Sequence, residues 1–254
     1  MRAMFTLIRR EFTAFFLSPI AYVVMVVFLV LTGLLFHLAL KLLTEEGPRG
    51  AEWPLQVMFG NDWFWMAFAV IPPLITMRLF AEERGSGTLE TLLTAPLRDW
   101  QVVFAKFVAA LGFYVVLWLP TLVYFVPILL KLKGWDSDRI DVQPVWTTYL
   151  GMFAVGAMFL AIGLYVSSLV KSQLVAAITA ITLSLNFVVV TFLDTDAGST
   201  STASRLTAFI SVPRHFQHDF TRGVIDSRHL VLYGSVCLFC LFMTVRSIES
   251  RRWR

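Results

Sequence analysis

Six long apolar stretches, with charged residues gathered in the gaps between them, leave this 254-residue chain few folds to choose from. They run over 19–40, 63–80, 107–130, 145–170, 174–193 and 230–245. A hydrocarbon core of roughly 30 Å takes about 20 helical residues to cross, so each stretch is a candidate spanning helix, the second and sixth being the shortest. A soluble domain of this size could not hide 57% hydrophobic residues and a mean hydropathy of +0.73. Spanning β-strands must alternate apolar and polar residues, and these stretches are apolar all round. The expectation is an all-α polytopic membrane protein with six transmembrane helices.

Orientation follows from the placement of Lys and Arg, which are retained on the cytoplasmic side. With the N-terminus inside, twelve of the 21 basic residues and six of the 17 acidic ones fall in cytoplasmic segments. That leaves the inner face net positive and the outer face net negative, so both termini are expected in the cytoplasm. The pI of about 9.3 reports this topology and does not point to nucleic acid. Trp63, Trp65, Trp135 and Trp146 fall at expected outer ends and Trp100 and Trp253 at inner ones, where an indole buries its ring and keeps its N–H near the headgroups. The first apolar stretch exceeds the core of an export signal and lacks a small-residue cleavage site, so it reads as a retained anchor. Cys237 and Cys240, three apart in the last stretch, read as small hydrophobes.

Outside the spans, residues 1–18 place Leu7, Ile8, Phe12, Phe15 and Phe16 at helical spacing, with Arg9, Arg10 and Glu11 assigned to the other side. This predicts an interfacial helix on the inner leaflet, ended by Ser18 and Pro19. The loop 81–106 is more specific. Gly85 and Gly87 permit a tight turn, Thr88 can open a short helix, Leu89, Leu92 and Leu93 give it one apolar face, and Pro96 ends it. Such a helix has nothing of its own to pack on. It is either a plug for a socket on another protein or a helix lying on the membrane.

The residues "IRREFTAFFLSPIAYVV", "EERGSGTLETLLTAPLRDWQVVFAKF" and "FTRGVIDSRHLVLY" together resemble permease subunits of ABC transporters of the gliding-motility type, close to those used in nitrous-oxide-reductase copper-site maturation. The resemblance covers nearly the whole chain, and the central motif is its most specific part. It implies a bacterial inner-membrane protein whose 81–106 loop carries a coupling helix docked in a cleft of a separate cytoplasmic ATPase. Carried onto this sequence, Glu82, Glu83, Gly87, Thr88 and Glu90 are the contact positions. It further implies a homodimer, or a heterodimer with a related permease, along the first and fifth spans, and a periplasmic accessory protein. ATP and Mg would be bound by the partner, since no G-x-x-x-x-G-K-[ST] phosphate loop occurs here and no cofactor is expected on this chain.

Small residues spaced by four, Ala157 and Ala161, Gly163 and Ser167, and Ala176, Ala180 and Ser184, mark seams where helices approach closely. Intramolecular packing explains them as well as a dimer does; the resemblance assigns Ala176, Ala180 and Ser184 to the dimer interface. In the outer loop 194–229, expected to fold as short capping helices, His215, His218 and Asp219 have a spacing compatible with metal ligation, but polar loop residues of this kind read first as solvated, and no metal is expected. His37, Arg78 and Asn186 are the polar groups at membrane depth. The competing classes are an intramembrane enzyme resembling glutamate-dependent membrane proteases, prompted by Glu82 and Glu83, and a stand-alone scaffold. The pair is followed by "RGSG" and the fourth to sixth spans hold no His, against that protease pattern.

Overall fold

A computed structural model describes residues 2–46, 54–88, 98–124, 143–193 and 202–252. Among these the chain is helical, with no strand. The helices are α1 (Arg2–Phe16), α2 (Pro19–Glu46), α3 (Pro54–Phe59), α4 (Asp62–Phe68), α5 (Ile71–Thr76), α6 (Arg78–Gly85), α7 (Asp99–Trp118), α8 (Gln143–Leu169), α9 (Gln173–Leu193), α10 (Thr202–Ile210), α11 (Val212–His218) and α12 (Ser227–Arg252). Five segments are long and apolar enough to cross a bilayer: Pro19–Lys41, Asp99–Tyr124, Gln143–Leu169, Gln173–Phe192 and Ser227–Ser250. The bent run from α4 to α6 makes a sixth when its two arms are counted as one span. The third span begins at Asp99, inside the stretch that sequence assigns to the loop, because Arg98 and Gln101 form a capping pair, the Arg98 N–H donating to Gln101 Oε1 at 3.0 Å. It tightens into a 3-10 turn over Leu119–Tyr124 at Pro120, whose ring cannot follow an α-helical turn.

The second span is broken twice. Pro72 and Pro73 lack N–H groups and would collide with the carbonyls of Phe68 and Ala69, so α4 stops at Phe68. The second break, a bend of 41° at Met77, has a different origin. Ser167 of α8 inserts its hydroxyl into the backbone ladder: Oγ accepts from Phe80 N–H at 3.1 Å and Ala81 N–H at 3.0 Å, and donates to Met77 O at 3.0 Å. Ala81 N–H would otherwise close on Met77 O, and a side chain standing between them kinks the helix.

Helix α8 is the centre of the bundle. Its glycines admit neighbours that any Cβ would exclude: Tyr114 fills the space over Gly156 and Thr76 that over Gly163, while Phe216 and Phe220 crowd Gly151. Tyr114 then donates its hydroxyl to Met152 O at 2.9 Å. A cap of α3, α11 and the 3-10 turn Phe220–Arg222 closes the end where α4 and α8 begin. Gln217 Nε2 donates to Gly60 O at 2.8 Å and Asp62 Oδ1 at 3.0 Å, and Thr147 Oγ1 donates to Phe220 O at 2.6 Å.

Three sequence expectations change. Trp65 is not at an interface; it is fully buried against Phe216, its indole N–H donating to Phe59 O at 2.7 Å. Glu11 does not share the outward side of α1 with Arg9 and Arg10. It lies four residues from Leu7 and from Phe15, and all three form the buried line of α1, which packs across α7 with Phe15 stacked on Phe113 at 5.0 Å. Ala176, Ala180 and Ser184 are each 0% exposed inside a single copy, so the bundle's own packing already fills this seam. The outward side of α9 carries Ile178, Thr182 and Asn186 instead.

Candidate functional site

The end of the bundle opposite the cap gathers α1, α6, the start of α7 and the turn between α8 and α9. At its centre is Lys106 on α7, 1% exposed. Taking an ammonium out of water costs several kcal/mol unless it is paired and hydrogen-bonded. Lys106 Nζ reaches Glu83 Oε1 of α6 at 2.7 Å and Glu11 Oε2 of α1 at 3.1 Å, and lies 5.3 Å from the centre of the Phe80 ring. Arg10 Nη2 holds the other Glu11 oxygen at 2.6 Å. Two cations and two carboxylates therefore cancel. Burial raises the Glu11 carboxyl, but Lys106 and Arg10 outweigh it and hold it below the usual carboxylate value. Glu83 Oε2 is buried with no hydrogen-bond partner among the described residues.

Around this triad α6 is gripped on two more sides. Arg78 stacks over Phe15 at 5.1 Å and donates to Ala14 O at 3.3 Å, tying α6 to α1 a second time. Arg84 Nη1 donates to Ser168 O at 2.6 Å, and a Cβ on Gly85 would sit 3.0 Å from Lys171 O, so the far side of α6 abuts the end of α8 and the turn into α9. A displacement of α6 therefore moves three helices at once. The chain leaves α6 through a small polar turn. Ser86 caps it by donating to Glu82 O at 2.9 Å, its hydroxyl meets Thr88 Oγ1 at 2.9 Å, and Gly87 has φ of 74°, a left-handed conformation that a side chain disfavours.

The five coupling positions expected from sequence divide accordingly. Glu82, Gly87 and Thr88 are exposed on one tip. Glu83 turns inward to Lys106, so its carboxylate ties helices together beneath that tip. Glu90, with Leu89, Leu92, Leu93 and Pro96 of the expected short helix, lies outside the described residues. Sequence reading passed over Lys106 as one more inner basic residue. The available signal was a lone Lys with an apolar residue at each i±3 and i±4 position, Val102, Val103, Ala109 and Ala110, the surroundings of a buried side chain. No group of three or more His, Cys, Asp or Glu suited to a metal occurs among the described residues, and His215, His218 and Asp219 do not form one.

No curated protein matches the chain significantly. A family model described as "ABC-2 family transporter protein" matches residues 50–212, nearly two-thirds of the 254 residues. The match runs from just before α3 to the first residue of α11, and so takes in the bent second span, Lys106, and the tip that α6 presents. The chain is a multi-pass membrane protein of the ABC-2 transporter family, a permease component of an ABC transporter.

Proposed function

We propose that this permease receives the stroke of a separate cytoplasmic ATPase at the tip formed by Glu82, Gly87 and Thr88, with Glu90 a further contact position from the sequence, and that Glu83 passes it on through Lys106. The observation that carries this reading is the Glu11–Lys106–Glu83 bridge, which joins α1, α6 and α7 directly beneath an exposed polar tip. A push on α6 is shared with α1 and the third span by charge-assisted hydrogen bonds, and with α8 through Arg84 and Ser167. ATP and Mg belong to the partner. Both termini and this tip lie in the cytoplasm of a bacterial inner membrane, consistent with the basic residues gathered at that end.

The permease acts as a dimer, a homodimer or a heterodimer with a related permease. Its contact includes the outward side of α9, where Thr179, Thr182 and Asn186 make a polar line on a lipid-facing helix. Polar side chains at membrane depth favour a partner helix over lipid. The cargo step is export, or mechanical work on a periplasmic accessory protein, a reading supported by the sequence resemblance to gliding-motility permeases.

Glu82→Arg tests the docking role, since it reverses an exposed charge without touching the buried triad. The variant inserts normally but no longer co-purifies with the ATPase and loses its stimulation of ATP hydrolysis. Unchanged co-purification and stimulation would overturn the assignment.

A further inference from the structure

The cap carries a cluster of ionisable side chains that the coupling reading leaves unused. His215 on α11 and His229 on α12 lie face to face, ring centroids 3.6 Å apart and planes 21° from parallel. They are 2% and 9% exposed. His215 Nδ1 meets the Tyr233 hydroxyl of α12 at 2.6 Å, and His229 Nε2 meets Oδ2 of Asp219, the residue that ends α11, at 2.9 Å. Two polar contacts and one ring stack thus hold α11 against α12. His229 Nδ1 is buried without a hydrogen-bond partner among the described residues, and the His215 ring also faces the backbone carbonyls of Ala208 and Phe209.

We propose that this histidine stack is an acid-sensitive latch: proton uptake by His215 puts a buried charge against His229, separates α11 from α12 and loosens the cap. α12 and the turn before it supply His229, Tyr233 and Asp226; α11 itself carries Arg214, the exposed His218 and, at its end, Asp219; the 3-10 turn Phe220–Arg222 packed against it adds the exposed Arg222; α10 supplies the carbonyls of Ala208 and Phe209, with its Arg205 exposed. α3 and α9 contain no ionisable side chain, α8 only Tyr149 and Tyr165, and Asp62 of α4 is engaged by Gln217. Burial, then His229, push His215 down to about 3 from 6.5, against the pull of the two carbonyls and Asp226. A histidine depressed in the closed cap contributes its full share above about 6.5 and loses it as pH falls toward 3. Opening therefore grows about tenfold per pH unit across that window, and about 30-fold between pH 7.5 and pH 5.

The test is hydrogen–deuterium exchange over 212–222 of the full chain in lipid nanodiscs at about pH 7.5 and about pH 5, corrected for intrinsic exchange. Wild type should lose protection about 30-fold in the cap on acidification while α6 and α7 hold theirs. His215→Phe, which keeps a ring but cannot take a proton, should show no such change. His215→Gln serves if the Phe variant fails to fold. Tyr233→Phe should weaken protection at both pH values and keep the wild-type ratio. An unchanged wild-type cap, an equal pH ratio in the His215 variants, or a parallel loss in α6 and α7 would each overturn the latch. The proposal rests on the cap geometry alone, so the ATPase-docking result does not bear on it.

Discussion

Lys106→Met removes the ammonium that joins three helices and keeps a stem of similar length, leaving the Glu11 and Glu83 carboxylates with only the more peripheral Arg10 and Arg78. Breaking a buried ion pair by deleting one partner costs about 3–5 kcal/mol, because the charge left behind is uncompensated. Glu11 and Glu83 keep 10% and 20% of their side-chain surface in contact with solvent, which places the loss at the lower end, about 3 kcal/mol. Arg10, 59% exposed, recovers little of it. At about 2–4 °C per kcal/mol for a chain of this size, Tm should fall by about 6–12 °C in scanning fluorimetry on nanodisc-embedded protein near pH 7. The triple variant Lys106→Met, Glu11→Gln, Glu83→Gln removes the stranded charges and should recover at least about half of the drop. The two carboxylates respond to pH in opposite senses. Glu11 is held below its ordinary 4.5, so its contribution is complete above that pH and drains away below it, whereas burial raises Glu83 in spite of Lys106, so protonating Glu83 offsets part of that loss. Wild type and Lys106→Met should therefore converge in acid. A Tm within about 2 °C of wild type near pH 7, or a triple variant as unstable as the single one, would refute the charge-bridge reasoning.

Two further substitutions probe the bundle. Ser167→Ala removes the hydroxyl that serves Phe80 N–H, Ala81 N–H and Met77 O, so it should cost about 1–3 kcal/mol and straighten the second span, read as a lower Tm and a changed spin-label distance across Met77. Ala180→Leu forces three extra heavy atoms into a site that is fully buried within one copy, so it should lower Tm through about 1–3 kcal/mol of overpacking; cross-linking between copies that fell while Tm held would return Ala180 to the dimer interface.

The turn at Gly87 and the apolar spans were legible because each depends on a few adjacent residues. The grouping of Glu82, Glu83, Gly87 and Thr88 near one tip was legible too, since they are neighbours in sequence. What escaped was the division of labour between adjacent carboxylates. Glu82 and Glu83 look alike in the chain, and only the position of Lys106, 23 residues on, turns one inward. The same limit explains Glu11, which carries a charge in a helix whose apolar residues are spread widely enough that its line with Leu7 and Phe15 was not singled out. It explains the kink at Met77 as well, where Ser167, 90 residues away, makes the bend.

Hydropathy needs only the composition of a segment and the thickness of a bilayer, both available without knowing what any helix touches. Membrane residence, helical class and the approximate limits of most spans followed from that local comparison. Which side of each span faces a neighbour is another matter. Helices that are apolar all round offer lipid and protein much the same surface, so the burial of Ala176, Ala180 and Ser184, the inward placement of Trp65, the joining of Glu11, Lys106 and Glu83, and the stacking of His215 on His229 were decided only when distant helices packed and small residues allowed close approach.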